Sequence, residues 1–371
     1  MPMAEAKPFR VAHAAGETWQ AALDAALAAL KPAPDSNIGF IYVADRFGGD
    51  FPAMLERLSV RTGLDTWIGA TGIGICASGG EYFDEPAIAL MTGRLPEGSF
   101  RPFDTASQSL QAIADNAPGR GPRFGIVHCD PRNGKLFEQI PLLAEATNAF
   151  VVGGLVSSRG GHGQAAGRAT EGALSGLLLS SDIVVATGLS QGCTPIGPPR
   201  IVTKAEGNVA IEIDGKPALE VFKQDIGEIL ARDLRRVAGY IFAALPVEGD
   251  DRGDYLVRNL MGLDTARGLI AVGDRLTSGQ RIMFCRRDKQ SAVEDLDRMT
   301  GELKRRVNAT PRAALYFSCL ARGPNMFGAG AAEVRLIEQR LGPVPLIGFF
   351  CNGEISNSRL YTYTGVLALI L

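Results

Sequence analysis

The sequence predicts an α/β protein of two domains, with mixed sheets covered by helices and built from diverged strand-helix-strand-strand units. Three observations carry this reading. Short apolar runs alternate with amphipathic stretches of helical period, the pattern of strands joined by crossover helices. The same order recurs three times, over residues 38–92, 124–179 and 313–371. The strand after each crossover helix also opens alike, as Trp67-Ile68-Gly69, Val151-Val152-Gly153-Gly154 and Leu346-Ile347-Gly348. A crossover makes the first two strands of each unit parallel, and the closing strand can return antiparallel.

Residues 9–14 form a short apolar segment. From Thr18 onward Trp19, Leu23, Ala26, Leu27 and Leu30 recur at helical spacing until Pro32 and Pro34 stop the helix. The first unit then gives a buried strand at 38–44, a helix through Met54, Leu55 and Leu58 ending near Gly63, a strand from Trp67 that dissolves into a glycine-rich stretch, and a strand at 87–92. In the second unit a strand at 124–129 precedes a helix at 136–147, a strand at 150–154 and a strand at 173–179. The third runs as a strand at 313–319, a helix at 331–341, a strand at 344–350 and a strand at 364–371.

Between the second and third units the character changes. A strand at 183–187 leads into the Gly- and Pro-rich loop Gln191-Gly192-Cys193-Thr194-Pro195-Ile196-Gly197. Strands at 208–213 and 217–221 flank Asp214-Gly215, a two-residue hairpin signal. A helix is expected at 226–237, an acidic exposed loop at 248–254, strands at 256–260, 268–272 and 280–286, and a helix at 288–307 with Val293, Leu296, Met299, Leu303 and Val307 inward. The domain boundary is placed just before the 226–237 helix, giving domains 9–224 and 225–371.

Length and composition narrow the function classes. The 371 residues are 46% hydrophobic and 21% charged with a net charge of −2, ordinary for a globular protein and without the basic footprint of a nucleic-acid binder. None of the cysteines Cys76, Cys129, Cys193, Cys285, Cys319 and Cys351 are at C-x-x-C spacing, and most end apolar strands. That pattern suits reduced, buried thiols better than disulfides or zinc. The first residues lack a signal-peptide pattern, and no run approaches about 18 uncharged apolar residues. A cytoplasmic protein, without membrane insertion, is expected.

Catalytic and cofactor motifs mostly fail on context. Gly72-Ile73-Gly74-Ile75-Cys76-Ala77 matches a loose dinucleotide pattern, but a strand and not a helix N-terminus follows it. His128 lies inside an apolar strand, and His162 sits in a Gly160-Gly161-His162-Gly163 loop near Ser157 and Ser158. Cys193 is the one thiol in a glycine-rich loop, with no histidine nearby in sequence to activate it. The residues that stand out are Arg322 and Glu354. Each follows a buried strand beside a glycine, at the kind of strand-end crevice where α/β proteins bind ligands. Arg322 would pair bidentately with a carboxylate and Glu354 would accept an ammonium, which together suit an amino acid. The competing reading joins Arg322 and Glu354 in a salt bridge. Gly-Glu also recurs at Gly80-Glu81, so it reads equally as a turn device.

Taken together, Cys319-Leu320-Ala321-Arg322-Gly323, Glu333, the strand and turn from Val344 to Ile355, and Tyr363-Thr364 resemble the C-terminal half of the FIST family. Ile68-Gly69, Gly80-Glu81, Val152-Gly153-Gly154 and the 191–197 loop resemble its N-terminal half. The resemblance covers residues 9–369. It implies a sensory, signal-transducing module that binds a small polar ligand such as an amino acid, without catalysis. It also implies a separate partner protein (a kinase, a receptor or a cyclic-dinucleotide enzyme), since the two halves use up the length. The ligand pocket is expected from Glu81, Gly153, Gly154, Ser157 and Cys193 in one half and Arg322, Gly323, Asn352, Gly353 and Glu354 in the other. No cofactor is expected. A hydrolase acting on amides or esters through Cys193 or Ser157, and a haem-binding nitric-oxide sensor using His128, His162 or Cys193, are the alternatives.

Overall fold

The computed structural model describes residues 9–247 and 254–371, so the expected acidic loop lies, up to residue 253, outside the described residues. The chain divides into two compact units. The larger is formed by residues up to Gln191 together with Glu294–Leu371, and the smaller is the inserted Gly192–Val293.

In the larger unit the first repeat contains β1 (Arg10–Ala15), α1 (Trp19–Leu30), β2 (Ile38–Ala44), α2 (Phe51–Thr62), β3 (Trp67–Gly72), the hairpin β4 (Gly74–Ala77) and β5 (Gly80–Phe83), and β6 (Ala87–Gly93). The second follows the same order with β7 (Phe100–Asp104), α3 (Leu110–Asp115), β8 (Arg123–Cys129), α4 (Leu136–Thr147), β9 (Ala149–Leu155), the hairpin β10 (Gln164–Ala166) and β11 (Ala169–Thr170), and β12 (Leu174–Leu179). The third opens with β13 (Val185–Gln191). Here the smaller unit intervenes, with β14 (Cys193–Pro195), β15 (Arg200–Glu206), β16 (Val209–Ile213), β17 (Lys216–Pro217), α5 (Ala218–Ala231), β18 (Ile241–Pro246), β19 (Tyr255–Asp264), β20 (Leu269–Val272) and β21 (Arg281–Arg287). The third repeat then resumes through α6 (Lys289–Arg306), β22 (Ala313–Cys319), α7 (Ala332–Leu341), β23 (Leu346–Cys351), the hairpin β24 (Glu354–Ser356) and β25 (Arg359–Tyr361), and β26 (Thr364–Ile370).

Each repeat builds a sheet from a parallel central pair (β2–β3, β8–β9 or β22–β23) with two antiparallel strands beside its first member. The fifth and sixth strands of each sheet are supplied by exchange. Hairpin β4–β5 of the first repeat extends the third repeat's sheet, β10–β11 of the second extends the first, and β24–β25 of the third extends the second. The exchange closes on itself, so no repeat can complete its sheet alone. The sequence pattern showed the repeats, and only the register shows the exchange.

The recurring Ile-Gly or Val-Gly at the start of the second parallel strand has a steric cause. Gly69, Gly153 and Gly348 lie opposite Ile41, Val127 and Tyr316 in the parallel ladders. A Cβ there would sit 1.7, 1.8 and 1.8 Å from the carbonyl oxygens of those residues. One position further along each ladder, Tyr42, His128 and Phe317 occupy equivalent places and meet in the core. Tyr42 and His128 ring centroids are 5.5 Å apart and those of His128 and Phe317 6.1 Å. Helices cover the outer faces. Leu23, Leu27, Met54 and Leu58 of α1 and α2 bury against Ile41 and Trp67, and Leu136, Ile140 and Leu143 of α4 bury against Val127 and Val151. Thr18 caps α1 by accepting from the Ala21 N–H.

The smaller unit is an antiparallel barrel. Strands β21, β15, β16, β20, β19 and β18 pair in that order, and β18 pairs back with β21. Its interior is filled by side chains including Val202, Ile270, Phe284 and Phe222 of α5. Asp214 and Gly215 form the expected two-residue turn with φ of 52° and 75°. The strand expected at 217–221 is corrected, because beyond Pro217 the chain is helical. Ala218, Leu219, Val221, Phe222 and Ile226 make one buried helical face, and this period outweighs the strand pattern. The helix expected at 226–237 therefore starts earlier and ends at Ala231, with Gly227 (φ 78°) breaking its geometry.

Candidate functional site

Arg322 follows β22 through one turn, and α7 returns Glu333 to it. Both side chains are fully buried, and Arg322 Nε donates to Glu333 Oε1 at 2.7 Å. The remaining guanidinium N–H groups face the Ser190 carbonyl and hydroxyl at 3.4 and 3.3 Å and Tyr316 Oη at 3.4 Å, and the Phe327 ring lies 5.0 Å away. Glu333 also accepts from Tyr316 Oη at 2.6 Å, Ser318 Oγ at 3.0 Å and the Gly323 N–H at 2.9 Å. Its place in the first turn of α7 adds the helix dipole. The ion pair considered between Arg322 and Glu354 is therefore not the one formed. Arg322 pairs with Glu333, because α7 brings that carboxylate beneath the guanidinium.

Glu354 is fully buried on the exchanged hairpin, opposite Gly154 in the ladder. Its Oε2 accepts from the Thr364 N–H and hydroxyl at 3.1 and 2.8 Å, while Oε1 has no protein partner among the described residues. Burial pushes its pKa up to about 8, partly offset by the Thr364 bonds and Arg322. The folded value lies above the unfolded value of about 4.3. The stabilisation is thus complete below that value and is lost as pH rises through about 8. Urea unfolding between pH 5 and pH 7 is expected to show stability falling by roughly 1 kcal/mol per pH unit from this group. Glu354→Gln should remove that component, and an unchanged slope would exclude Glu354 as its source.

The other expected residues are close-packed main chain, a committed hydroxyl and a thiol of the smaller unit. Gly153 and Gly154 admit no side chain, since a Cβ at Gly154 would lie 2.2 Å from Cys351 Sγ. The Gly353 carbonyl accepts from the Leu155 N–H at 2.8 Å, and the exposed Asn352 donates its N–H to the Leu155 carbonyl. Gly323 (φ 54°) packs on Phe350. Ser157 Oγ donates to the Phe350 carbonyl at 2.5 Å and accepts from the Ile73 N–H at 3.0 Å, which commits the hydroxyl to tying all three repeats together. Cys193 belongs to the smaller unit, on β14 beside β21, and its carbonyl accepts from Tyr255 Oη. A histidine–nucleophile arrangement is thus not what surrounds either candidate.

A haem needs an axial donor facing an open apolar slot. His128 is fully buried, bonded through Nε2 to Tyr42 Oη at 2.9 Å and packed against Phe317 and Phe349. Burial pushes its pKa down to about 3, so it is neutral. His162 Nδ1 contacts the Gly160 carbonyl of its own loop. The packed surroundings of His128 do not fit a porphyrin.

The larger unit does contain a groove that the sequence reading missed. About 620 Å³ in volume, it lies between the β4–β5 turn and the C-terminal part of α7. Ser78, Arg335, Glu338 and Gln339 supply polar groups, and Val344 and Pro345 an apolar wall. Glu338 Oε1 accepts from the Gly79 N–H at 2.8 Å, and Ser78 Oγ accepts from the Leu346 N–H at 2.9 Å. His13 holds the same turn from behind, with Nε2 3.1 Å from the Ser78 carbonyl. Two residues past the turn Glu81 accepts from the Val334 N–H at 2.8 Å, so hairpin and helix clasp each other through two carboxylates. Burial pushes Glu81 up to about 7, against the Val334 bond. Arg335 offers a fork for a carboxylate, and Glu338, one turn on, an acceptor for an ammonium. The only sequence signal was a charged i, i+3 pair on a helix, which is too common to mark a site.

The glycine-rich stretch after β3 continues as the β4–β5 hairpin, so the dinucleotide pattern lacks its helix here. Among the described residues no helix is long and apolar enough to cross a membrane, and no group of three or more His, Cys, Asp or Glu is placed to hold a metal.

Comparison with known proteins gives matches to the FIST N domain over residues 37–216 and the FIST C domain over 218–357. They meet at the start of α5, so each contributes strands to both compact units. An uncharacterized protein of Mycobacterium tuberculosis is 34% identical over 194 residues, 49% of this chain and 50% of its own length. An uncharacterized protein of Mycobacterium bovis is 33% identical over 192 residues, again 49% and 50%. The chain spans about half the length of the curated relatives it matches. On the two domain matches, which together cover most of its length, the chain belongs to the FIST family of sensory, signal-transduction domains.

Proposed function

We propose that this chain senses a small polar ligand carrying a carboxylate, an amino acid or a close relative, in the groove between the β4–β5 turn and α7. The observation that carries the reading is the paired Arg335 and Glu338 beside an apolar wall, in a volume suited to a small molecule. The helix that lines the groove also carries Glu333 into the buried Arg322 network. A ligand that draws Glu338 away from Gly79 alters the clasp, and α7 relays the change to Arg322, Gly323 and the strand ends around Gly353 and Glu354. The signal then passes to a separate cytoplasmic partner, such as a kinase, a receptor or a cyclic-dinucleotide enzyme.

A thermal-shift screen of the full chain against amino acids and small carboxylates tests this. At a hundredfold excess over Kd a true ligand stabilises the fold by about 2.7 kcal/mol. Arg335→Gln and Glu338→Gln should each abolish the shift. A ligand whose shift survives both substitutions would place its site elsewhere.

A further inference from the structure

The smaller unit contains two cysteines, Cys193 and Cys285, and they stand at its two ends. Cys193 is the second residue of the unit, on the three-residue strand β14. Cys285 lies on β21, the strand that leads back through α6 into the larger unit. The strands pair antiparallel with Cys193 opposite Arg287 and Pro195 opposite Cys285. The cysteines are thus diagonal neighbours two positions apart, which puts both side chains on one face. With Cys193 beside it, the Cys285 thiol is pushed up. Cys285 is fully buried and its Sγ donates to the Phe242 carbonyl at 3.7 Å, whereas Cys193 keeps 5% exposure. Neither thiol has a role in the groove or in the buried Arg322 network.

From this juxtaposition we infer that Cys193 and Cys285 form a dithiol–disulfide site that exchanges with small-molecule disulfides and staples the two ends of the inserted barrel. The more accessible Cys193, as thiolate after losing its proton to solvent, attacks one sulfur of the small disulfide. A mixed disulfide forms on Cys193, and one small thiolate leaves and takes up a proton. Cys285 then loses its proton to solvent and attacks Cys193 Sγ, expelling the second small thiol. The two protein thiols are oxidised by two electrons, and the small disulfide is reduced to two thiols. Cys285 is fully buried and donates to the Phe242 carbonyl, so it is the thiol that an external disulfide reaches second, which assigns it the resolving step. Strand β14 pairs with β21 alone among the described strands and runs into a Pro-rich loop, so it is the element that adjusts to the bond. The other four thiols, Cys76, Cys129, Cys319 and Cys351, lie buried in the larger unit.

The test equilibrates the full chain in glutathione buffers from fully reduced to fully oxidised glutathione, then alkylates and digests it. The expected result is an intact mass lower by two hydrogens and one cross-linked peptide pair joining Cys193 to Cys285, with the other four cysteines alkylated. Cys285→Ser should instead accumulate one glutathionyl group on Cys193, and Cys193→Ser should leave Cys285 unmodified. The inference is overturned by both thiols remaining alkylatable in fully oxidised glutathione, or by a cross-link joining any other pair. The wild-type measurement decides this even where a variant folds poorly, and it is independent of ligand binding in the groove.

Discussion

Arg322→Met is expected to destabilise the protein by about 3–5 kcal/mol, a large part of a typical domain's stability. The substitution leaves the Glu333 carboxylate in a fully buried site with only two hydroxyls and the Gly323 N–H as donors. Glu333→Leu should cost a similar amount, for the converse reason. It strands a guanidinium whose other contacts, to Ser190 and Tyr316, are neutral and long at 3.3 to 3.4 Å. The double variant Arg322→Met/Glu333→Leu removes both charges together and should recover most of the loss, because much of each single cost is the desolvated charge left behind. Urea unfolding of the four proteins forms the cycle. Single variants within about 1 kcal/mol of wild type would show that the pair is not held as buried as this.

Gly348→Ala should be worse tolerated still, at about 4 kcal/mol or more, with little soluble protein recovered. The added Cβ would meet the Tyr316 carbonyl oxygen at 1.8 Å, and that atom is main chain inside a parallel ladder. No rotamer change relieves the contact. Strands β22 and β23 must move apart, and their ladder bonds break with them. Gly69→Ala and Gly153→Ala should behave alike, since the same contact recurs at 1.7 and 1.8 Å. Gly301→Ala is the control. It lies inside α6 with nothing within 4 Å of the added atom, and should stabilise the helix by about 0.5–1 kcal/mol. Thermal melts of the purified variants separate the cases, and a Gly348→Ala protein melting with wild type would refute the steric account.

Much of this fold was legible because its signals are local. Apolar runs such as Ile38–Ala44 and Ala313–Cys319 are buried at every position and read as strands without further context. The helical period of Trp19–Leu30 and the turn at Asp214-Gly215 are likewise set within a few residues. Weak elements escaped. Strand β7, helix α3 and the short hairpin β10–β11 are stabilised by their partners and carry little pattern of their own.

The candidate site was legible only in part, for the same reason. Arg322 stood out in the sequence as a charge just past a buried strand and was read as a carboxylate binder, but the residue it pairs with lies eleven residues on and across a turn. Glu333 was noted only as part of the family resemblance, and nothing in its local sequence paired it with Arg322. The groove was invisible because it joins a turn at residues 78–79 to a helix some 250 residues later, and neither side is distinctive alone.

By itself, then, the sequence determined three things about this protein: its α/β class, its three related units, and an arginine and glycines that could not be ordinary. Those follow from hydrophobic period and from the steric demands of single positions, which are written locally. The tertiary structure alone decided that the repeats trade hairpins in a closed cycle, that Arg322 pairs with Glu333, and that Cys193 meets Cys285. Each of these depends on register and on which distant strands share a sheet, and no short-range pattern encodes it.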